Sequence, residues 1–421
     1  MEKNDRKPEI RFSGFETAWQ KKCFGDEFDI LSNNTLSREF LNYDQGIAKN
    51  VHYGDVLIKF NEYLDASKEV LPYIEDEKVI DKFQNSFLRD GDIVIADTAE
   101  DETVGKCTEI GQIRDLPIIA GLHTMPCRPK GKYAPKYLGY YLNADAYHRE
   151  LLPLMQGVKV TSISRSGVKD TDIIVSEEYD EQKKIGQYLF TLDEKIKFEK
   201  DKLDRLIILK KSMLEKMFPQ GNSKVPEIRF GKYTDEWEQR KILEIGNVVT
   251  GTTPSTTHLE NYGNEYLFAG PGDIRDNRYV KSTSTMLSEK GAKISRLVRE
   301  GSTLVVCIGS TIGKTAQIGS VAATNQQINS IEPFENYDDD YVYIALKKRS
   351  LSFRQECSTQ TMPIINKKDF SEILVSIPLT LDEQKKIGAY FKNLDNLITF
   401  HQRKVDKLKN IKSSCMDKMF V

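Results

Sequence analysis

The stretch of the sequence with the most suggestive chemistry is GSTIGKT, residues 309–315. Glycines followed by Lys-Thr are typical of phosphate-binding loops, which need four residues between the glycines so that backbone N–H groups can surround a phosphate. Here only Ser310, Thr311 and Ile312 separate the two glycines. The spacing argues against a nucleotide site and indicates a glycine turn that carries a lysine, Lys314.

Other residue types that could support catalysis lack the spacing that catalysis needs. Acidic side chains cluster at 97–102 and five histidines are scattered along the chain, but neither set has metal-ligand spacing. No Asn-Pro-Pro-aromatic loop and no glycine-rich cofactor fingerprint is visible, so no methyl-transfer site is predicted. We predict a non-catalytic chain that binds other molecules and holds no metal or cofactor of its own.

The composition is typical of a soluble protein with several domains. The 421 residues are 39% hydrophobic and 29% charged, with a formal net charge of −2, and this length suggests two or three domains. No apolar run approaches the roughly 20 residues of a membrane span. Six dispersed cysteines indicate reduced thiols, so we expect a cytoplasmic protein. Any DNA binding must use local basic patches or a basic partner.

The chain is an internal duplication. DEQKKIG occurs at 180–186 and again at 382–388, and about half the positions that follow are identical; PEIRF occurs at 8–12 and 226–230, each time followed by a tryptophan. Between these anchors the two halves diverge, so variable modules alternate with repeated helices. The predicted limits are 1–179 for module 1, 180–218 for the first helix, 219–225 for a linker, 226–381 for module 2 and 382–421 for the second helix.

Both repeated segments are predicted to be helices that pack as an antiparallel coiled coil, because their apolar residues recur every 3.5 positions. Each helix is roughly 50 Å long at 1.5 Å per residue. Two seam positions are polar in both copies, Glu199 with His401 and Lys210 with Lys412. Antiparallel packing brings Glu199 near His401, either as a register-setting pair or as two solvated seam edges. The predicted seam and partner-contact residues are Ile185, Leu189, Leu192, Ile196, Leu203, Leu206, Ile387, Phe391, Leu394, Ile398, Val405 and Leu408.

The modules are predicted to be mixed α/β. GSTIGKT has a counterpart in module 1, TVGK at 103–106, which shares the strand, the turn and the apolar-Gly-Lys triplet but has no earlier glycine nearby. The fold class is therefore α+β, with two mixed α/β modules, each followed by a long helix, in a pseudo-twofold repeat. The predicted strands are HYGDVLIKF (52–60), GDIVIADT (91–98), STLVVCIG (302–309) and EILVSI (372–377), and the predicted helices are 134–152 and 338–357.

Polar loops of the modules carry side chains that suit the edges of DNA bases. Asn and Gln can contact adenine through two hydrogen bonds, Arg and Lys contact guanine, and Ser and Thr contact bases or phosphates. The same residue types also cap and turn the backbone in ordinary surface loops. The DNA-binding candidates are Lys159, Thr161, Ser162 and Arg165 in module 1, and Thr252, Thr253, Ser255, Ser310, Thr311, Lys314, Asn325, Gln326, Gln327, Gln360, Thr361 and Lys367 in module 2.

Together the motifs resemble a known family. Two divergent modules, each opened by P-E-I-R-F and a tryptophan and each closed by a D-E-Q-K-K-I-G helix, look like the specificity (S) subunit of a type I restriction–modification enzyme. Module 2 follows the family's commonest recognition-domain pattern through GTTPS (251–255), TIGK (311–314) and TNQ (324–326). Module 1 keeps TVGK and replaces the other two, which implies a recognition domain of another target class.

The resemblance implies that each module is a target recognition domain for one half of a split double-stranded DNA target. The paired helices would set the spacing and dock two modification subunits. Methylation of adenine by S-adenosylmethionine, and cleavage driven by ATP and Mg²⁺, would belong to the partner modification and restriction subunits. A rod of roughly 50 Å lets both modules reach major grooves about one DNA turn apart. The alternative is a scaffold that tethers proteins without binding DNA.

Overall fold

The computed structural model describes residues 6–157, 159–275, 277–356 and 363–421. The chain divides into two compact units: unit 1 is Met1–Phe198 with Val405–Val421, and unit 2 is Glu199–Lys404. Each unit holds one variable module and a part of each long helix. In the described part of the chain, no helix is both long and apolar enough to cross a membrane.

The strands of unit 1 are β1 (Gln20–Cys23), β2 (Phe28–Ile30), β3 (Ala48–Val51), β4 (Tyr63–Asp65), β5 (Tyr73–Ile74), β6 (Ile93–Ala96), β7 (Thr98–Ala99), β8 (Cys107–Gly111), β9 (Ile118–Ala120), β10 (Thr124–Pro129), β11 (Thr161–Ser162) and β12 (Asp172–Val175). The main sheet has the order β2-β10-β6-β8-β4, and a smaller sheet has the order β5-β3-β9. β6 is buried along its length, which explains its unbroken apolar sequence. Two-stranded pairs form between β1 and β12 and between β7 and β11.

The helices of unit 1 are α1 (Phe24–Glu27), α2 (Tyr53–Ile58), α3 (Glu77–Lys82), α4 (Tyr137–Asn143), α5 (Asp145–Leu151), α6 (Arg165–Lys169) and the first part of α7 (Tyr179–Lys216). The predicted helix at 134–152 is α4 and α5. The predicted strand at 52–60 is wrong, because this run contains α2. His52 caps α2 by accepting a hydrogen bond from the N–H of Gly54 at 3.2 Å. The buried residues of α2 are the neighbours Asp55 and Val56, a pattern that the alternation of a strand does not give.

The strands of unit 2 are β13 (Glu238–Lys241), β14 (Gly246–Thr250), β15 (Tyr262–Ala269), β16 (Tyr279–Val280), β17 (Thr285–Leu287), β18 (Leu297–Val298), β19 (Thr303–Val306), β20 (Thr315–Ile318), β21 (Ala322–Thr324), β22 (Ile328–Pro333) and β23 (Leu374–Ile377). Its helices are the rest of α7, α8 (Ile242–Ile245), α9 (Glu289–Lys293), α10 (Asp339–Ser350), α11 (Phe353–Glu356), α12 (Lys367–Glu372) and most of α13 (Leu381–Met419). The predicted helix at 338–357 is α10 and α11.

The internal repeat is confirmed in the topology of the two units. The main sheet of unit 2 has the order β14-β22-β19-β20-β16, which matches the main sheet of unit 1 strand for strand. The pair β13-β23 matches β1-β12, and β17-β15-β21 matches β5-β3-β9, with β18 added at one edge. Both units also end in a short helix and a strand, α6 and β12 or α12 and β23, before the long helix.

The two long helices are confirmed, and they run antiparallel. In unit 1 the first turns of α7 share a core with the last turns of α13, as Leu189 and Met416 illustrate. In unit 2 the last turns of α7 share a core with the first turns of α13, as Met217 and Phe391 illustrate. Of the predicted seam residues, Ile185, Leu189, Leu192, Leu203, Ile387, Phe391, Leu394 and Val405 are buried, whereas Ile196, Leu206, Ile398 and Leu408 are half-buried.

The polar seam positions each lie close to a polar partner. In unit 2, Nδ1 of His401 lies 2.5 Å from Oε2 of Glu199, so the proximity expected from antiparallel packing is present. Also in unit 2, Lys210 lies 2.5 Å from Asp395. In unit 1, Lys412 is 2.7 Å from Asp193. These contacts favour a paired seam over two solvated edges.

The repeated PEIRF and DEQKKIG motifs meet inside each unit. Arg11 donates from Nε and Nη2 to the carboxylate of Glu181 at 2.5 and 2.9 Å. Arg229 makes the same two bonds to Glu383 at 2.7 and 2.9 Å. Both glutamates are buried, so each unit contains a bidentate ion pair shielded from water.

The rest of the DEQKKIG motif joins the long helix to its module. Gln182 accepts a hydrogen bond from the N–H of Ala134 at 2.9 Å, and Gln384 accepts one from Asp338 at 3.1 Å, in each case just before a module helix. A side chain at Gly388 would meet the Asp338 carboxylate at 2.4 Å. The motif is therefore explained by close packing of helix against module.

Candidate nucleic-acid interface

The GSTIGKT stretch forms the turn between β19 and β20, as predicted. Gly313 has φ +88°, and a Cβ there would lie 2.5 Å from the carbonyl oxygen of Ser350. Backbone conformation and space both require glycine at this position. A phosphate-binding loop leads from a strand into a helix whose N-terminus holds the phosphate. This turn leads into a strand, β20, instead.

The equivalent turn of unit 1 confirms that the two Gly-Lys sites occupy matching positions in their units. The surroundings of the two lysines, however, are different. Gly105 has φ +92°, and its N–H donates to the carbonyl of Ala96 at 2.9 Å. Lys106 is half-buried and its ammonium donates to the carbonyl of Leu57 at 2.7 Å. Burial lowers the pKa of Lys106. The side chain of Lys314 is exposed, so only this lysine is open to a ligand.

In unit 2 the candidate loops gather at one end of the main sheet. The N–H of Thr252 donates to the carbonyl of Thr324 at 2.9 Å, and that of Cys307 donates to Gln327 at 2.8 Å. The N–H of Gly309 donates to Pro363 at 3.0 Å, which brings in the segment before α12. We call this set of four segments the loop end of unit 2; its residues are 251–255, 307–314, 324–328 and 363–367.

Several candidate side chains at the loop end orient one another. Thr253 donates to the side-chain oxygen of Gln326 at 2.5 Å. Asn325 donates from Nδ2 to Gln327 at 3.1 Å, and the hydroxyl of Thr252 accepts the N–H of Arg296 at 3.3 Å. Thr253, Ser255, Ser310, Lys314, Gln326 and Lys367 are exposed, and Thr252, Thr311, Asn325 and Gln327 are half-buried. The remaining two candidates, Gln360 and Thr361, lie outside the described residues.

The four candidates of unit 1 are brought to the corresponding end of its sheet. Thr161 and Ser162 form β11, which pairs with β7. Arg165 begins α6, and its Nη2 donates to the side chain of Asn33 at 2.5 Å. Lys159 is exposed, in the loop before β11. Arg165 corresponds to Lys367, since each is the first residue of the last module helix, α6 or α12.

Sequence reasoning missed the asparagines of unit 1. The N–H of Asn34 donates to Ala120, the last residue of β9, at 2.8 Å, just as Thr252 bonds Thr324 at the end of β21. The segment SNNT (32–35) therefore takes the place of GTTPS. Nδ2 of Asn33 donates to Gly121 at 3.0 Å, which fixes the amide that orients Arg165. Aligning the segments that follow β2 and β14 could have found this pair.

The described residues contain few other clusters of His, Cys, Asp and Glu side chains. His123 lies 3.7 Å from Asp97, which belongs to the acidic run. Among residues 6–157, 159–275, 277–356 and 363–421, no group of three or more His, Cys, Asp or Glu side chains is placed to hold a metal ion. We call the corresponding segments of unit 1, residues 32–35, 103–106 and 159–165, the loop end of unit 1. The two loop ends are thus surfaces of hydrogen-bonding and cationic side chains.

Comparison with known proteins finds similarity to the specificity subunits of type I restriction enzymes. Residues 234–410 match the family described as type I restriction modification DNA specificity domain. The chain is also 21% identical over 437 residues to the putative type I restriction enzyme MjaX specificity subunit of Methanocaldococcus jannaschii, covering 99% of this chain and 95% of that protein. The family match therefore covers most of module 2 and most of α13.

Two further similarities concern one more relative and one solved structure. The chain is 28% identical over 171 residues to the type I restriction enzyme HindI specificity subunit of Haemophilus influenzae, an alignment that spans 38% of this chain and 37% of that protein. Its fold is similar to the crystal structure of the type I restriction-modification S subunit from M. genitalium, with a TM-score of 0.68 at 14% identity and coverage of 99% of both chains. The curated HindI relative is thus matched over less than half of its length.

Proposed function

We propose that this chain is the DNA sequence-specificity subunit of a type I restriction–modification complex, in which each module reads one half of a bipartite target. The observation that carries the proposal is that the two units share one topology while equivalent positions at their loop ends hold different side chains. Asn34 stands where unit 2 has Thr252, and Arg165 stands where unit 2 has Lys367. One scaffold with two sets of polar loops suits two different short sequences.

The loop-end residues of unit 2 would make direct contacts with DNA. Asn325, Gln326 and Gln327 form a row of amides that can pair with adenine edges, and Lys314 and Lys367 can bind guanine or phosphate. Thr252, Thr253, Ser255, Ser310, Thr311, Gln360 and Thr361 would contribute hydroxyl and amide contacts to bases or phosphates.

In unit 1, Arg165 is the strongest candidate for reading a base. Its guanidinium is held by Asn33 and by the carbonyl of Leu31, at 3.3 Å, yet it remains exposed. A cation with fixed orientation suits the two acceptors of guanine. Lys159, Thr161 and Ser162 would provide the flanking contacts.

The paired helices α7 and α13 would set the distance between half-sites and dock modification subunits, two in number by the symmetry of the repeat. Methylation with S-adenosylmethionine, and translocation and cleavage with ATP and Mg²⁺, are assigned to the modification and restriction subunits. This chain itself would act without catalysis, in the cytoplasm. A net charge of −2 is consistent with partners that share the grip on DNA phosphates.

The test is to co-express the chain with its modification subunits and to map methylated adenines across the host genome. The proposal predicts methylation within one bipartite sequence whose two short half-sites are separated by a fixed number of unspecified bases. Cells that express the modification subunits alone are the control. Absence of sequence-specific methylation, together with no sequence-specific retention of DNA by the purified complex, would favour the protein-tethering alternative.

A further inference from the structure

A short motif occurs at the same place in both units, although the modules diverge around it. KFNEY at 59–63 and RDNRY at 275–279 share a cation, an asparagine and a tyrosine at the same spacing. The structure aligns them by register: Tyr63 pairs with Glu109 in the parallel β4–β8 ladder, and Tyr279 pairs with Gln317 in the parallel β16–β20 ladder. Each motif leads into the edge strand of the main sheet.

The residue before the tyrosine fixes each motif to its unit. The carbonyl of Glu62 accepts the N–H of Glu109 at 2.9 Å, and the carbonyl of Arg278 accepts that of Gln317 at 2.8 Å. Their side chains bind a long helix: Glu62 lies 2.7 Å from Lys412 of α13 in unit 1. In unit 2, Arg278 lies 3.3 Å from Asp395, also of α13. The backbone that carries the exposed residues is therefore anchored.

The cation and the asparagine of each motif are exposed to solvent. Lys59, Asn61, Arg275 and Asn277 are all exposed. The ammonium of Lys59 donates to a neutral acceptor, the carbonyl of Val70, at 2.6 Å, so its charge is not neutralised. Within the described part of the chain, Arg275 forms no salt bridge. Asp276 lies outside the described residues and forms no part of the proposed surface.

In unit 2 the motif lines an open cleft of about 360 Å³. The opposite wall is the exposed face of α13, from which Asn396, Thr399 and Arg403 contribute a cation and two hydrogen-bonding groups. The buried Arg278 at its base is already neutralised by Asp340, at 2.6 Å, and by Asp395. The cleft thus offers Arg275, Lys281 and Arg403 as cations, and its remaining carboxylate, Asp273, accepts the N–H groups of Gly270 and Ser284.

Each motif lies close to the loops that we propose to read bases. In unit 2 the N–H of Asn325 donates to Ala269 at 3.0 Å, and Gly270 is bonded to Asp273, two residues before Arg275. In unit 1 the carbonyl of Leu57, two residues before Lys59, accepts the ammonium of Lys106 from the Gly-Lys turn. The motifs therefore flank the reading loops in both units.

The two half-sites differ in base sequence, so side chains that differ between the modules are suited to reading bases. Side chains that both modules share are instead suited to a feature that is present in both half-sites. The sugar–phosphate backbone is common to every sequence, and a cation beside an amide donor is a phosphate-binding pair. We propose that Lys59 with Asn61, and Arg275 with Asn277, are sequence-independent phosphate contacts of the two modules. This inference rests on the proposed function.

The test uses the complex of this chain with its modification subunits and measures affinity for a target duplex and for an unrelated duplex between 50 and 200 mM salt. Arg275→Ala is expected to weaken both affinities by the same factor. It should also make the plot of log K against log salt less steep by about 0.9. The fold-loss of affinity between 50 and 200 mM salt would then be about 3.5 times smaller than the loss in the wild type. Lys59→Ala should have the same effects as Arg275→Ala, and Arg275→Lys should keep the salt slope of the wild type.

The matched control is Arg240→Ala, which removes an exposed arginine that is paired with Glu238 on β13. Slopes and affinities of Arg275→Ala that match those of this control would overturn the proposal. An altered methylated sequence would show base reading instead, and loss of modification subunits with unchanged DNA affinity would show a protein-docking site. If the wild-type complex showed no sequence-specific binding at all, the proposed function itself would fail.

Discussion

Replacing Glu181 by glutamine tests whether the duplicated motifs stabilise the units through their buried ion pairs. Glu181 is fully buried and accepts four hydrogen bonds: two from Arg11, one from Trp19 Nε1 at 3.1 Å and one from Ser176 at 2.6 Å. Glutamine keeps the shape but leaves Arg11 only the more distant carboxylate of Glu178, at 4.0 Å. Breaking a buried pair costs about 3–5 kcal/mol. Because the Arg11 side chain is 11% exposed, we expect about 3 kcal/mol from this loss.

The second unit supplies an internal comparison. Glu383 accepts the two bonds from Arg229, but Trp237 Nε1 has no hydrogen-bond partner in the described structure. Each hydrogen bond contributes about 1 kcal/mol. Glu181→Gln should therefore destabilise unit 1 by about 1–2 kcal/mol more than Glu383→Gln destabilises unit 2.

The two tryptophans of the chain allow each unit to be followed separately, since Trp19 lies in unit 1 and Trp237 in unit 2. Urea unfolding of Glu181→Gln would be followed by Trp19 fluorescence in a Trp237→Phe background, and that of Glu383→Gln by Trp237 in a Trp19→Phe background. Glu178→Gln is the matched control, because Glu178 is half-exposed and lies 4.0 Å from Arg11. It should change stability by less than about 0.5 kcal/mol. A loss below about 1 kcal/mol for Glu181→Gln would refute the reasoning.

Two further predictions concern the seam and the Gly-Lys turn. Hydrogen bonding from His401, with Lys404 beside it, lowers the pKa of Glu199. The ionised Glu199 therefore stabilises the fold above the usual glutamate pKa of about 4.3. This stabilisation is lost as the pH falls through the lowered pKa. The melting temperature of the wild type should exceed that of Glu199→Gln near neutral pH and approach it in acid, and a difference that stays constant from pH 3 to 7 would contradict this. Lys314→Ala should weaken DNA binding by the complex and reduce its salt slope by about 0.9, whereas Lys106→Ala should lower the stability of unit 1 and leave the slope unchanged; equal effects on DNA binding would show that the two lysines share one role.

The features that could be predicted from the sequence are those with a local or repeated signature. The 3.5-residue period of α7 and α13 survives in the sequence because one helix face packs along its length. The duplication gave two units of one topology because equal sequence anchors flank both modules. The prediction of a strand at 52–60 was wrong because its apolar residues fit both the strand period and the helical period. The hydrogen bond by which His52 caps α2 favours the helix.

The candidate interface could be predicted only in part, because its segments come together through tertiary packing. Thr253 and Gln326 are 73 positions apart and meet because β14 and β22 are neighbours in one sheet. The role of Asn33 depends on its bond to Arg165, 132 positions away. The side-chain types of loops carry no signal of such distances, so residue type alone could not separate Lys314, which is exposed, from Lys106, which is bound within its unit.

In the proposed function, each module reads its own half-site independently of the other module. The most direct measurement replaces residues 226–381 with the corresponding module of a type I specificity subunit, co-expresses the chimera with the modification subunits and maps methylated adenines. We expect one half-site to change, while the other half-site and the length of the spacer stay the same. A change in both half-sites, or methylation without a bipartite pattern, would contradict it.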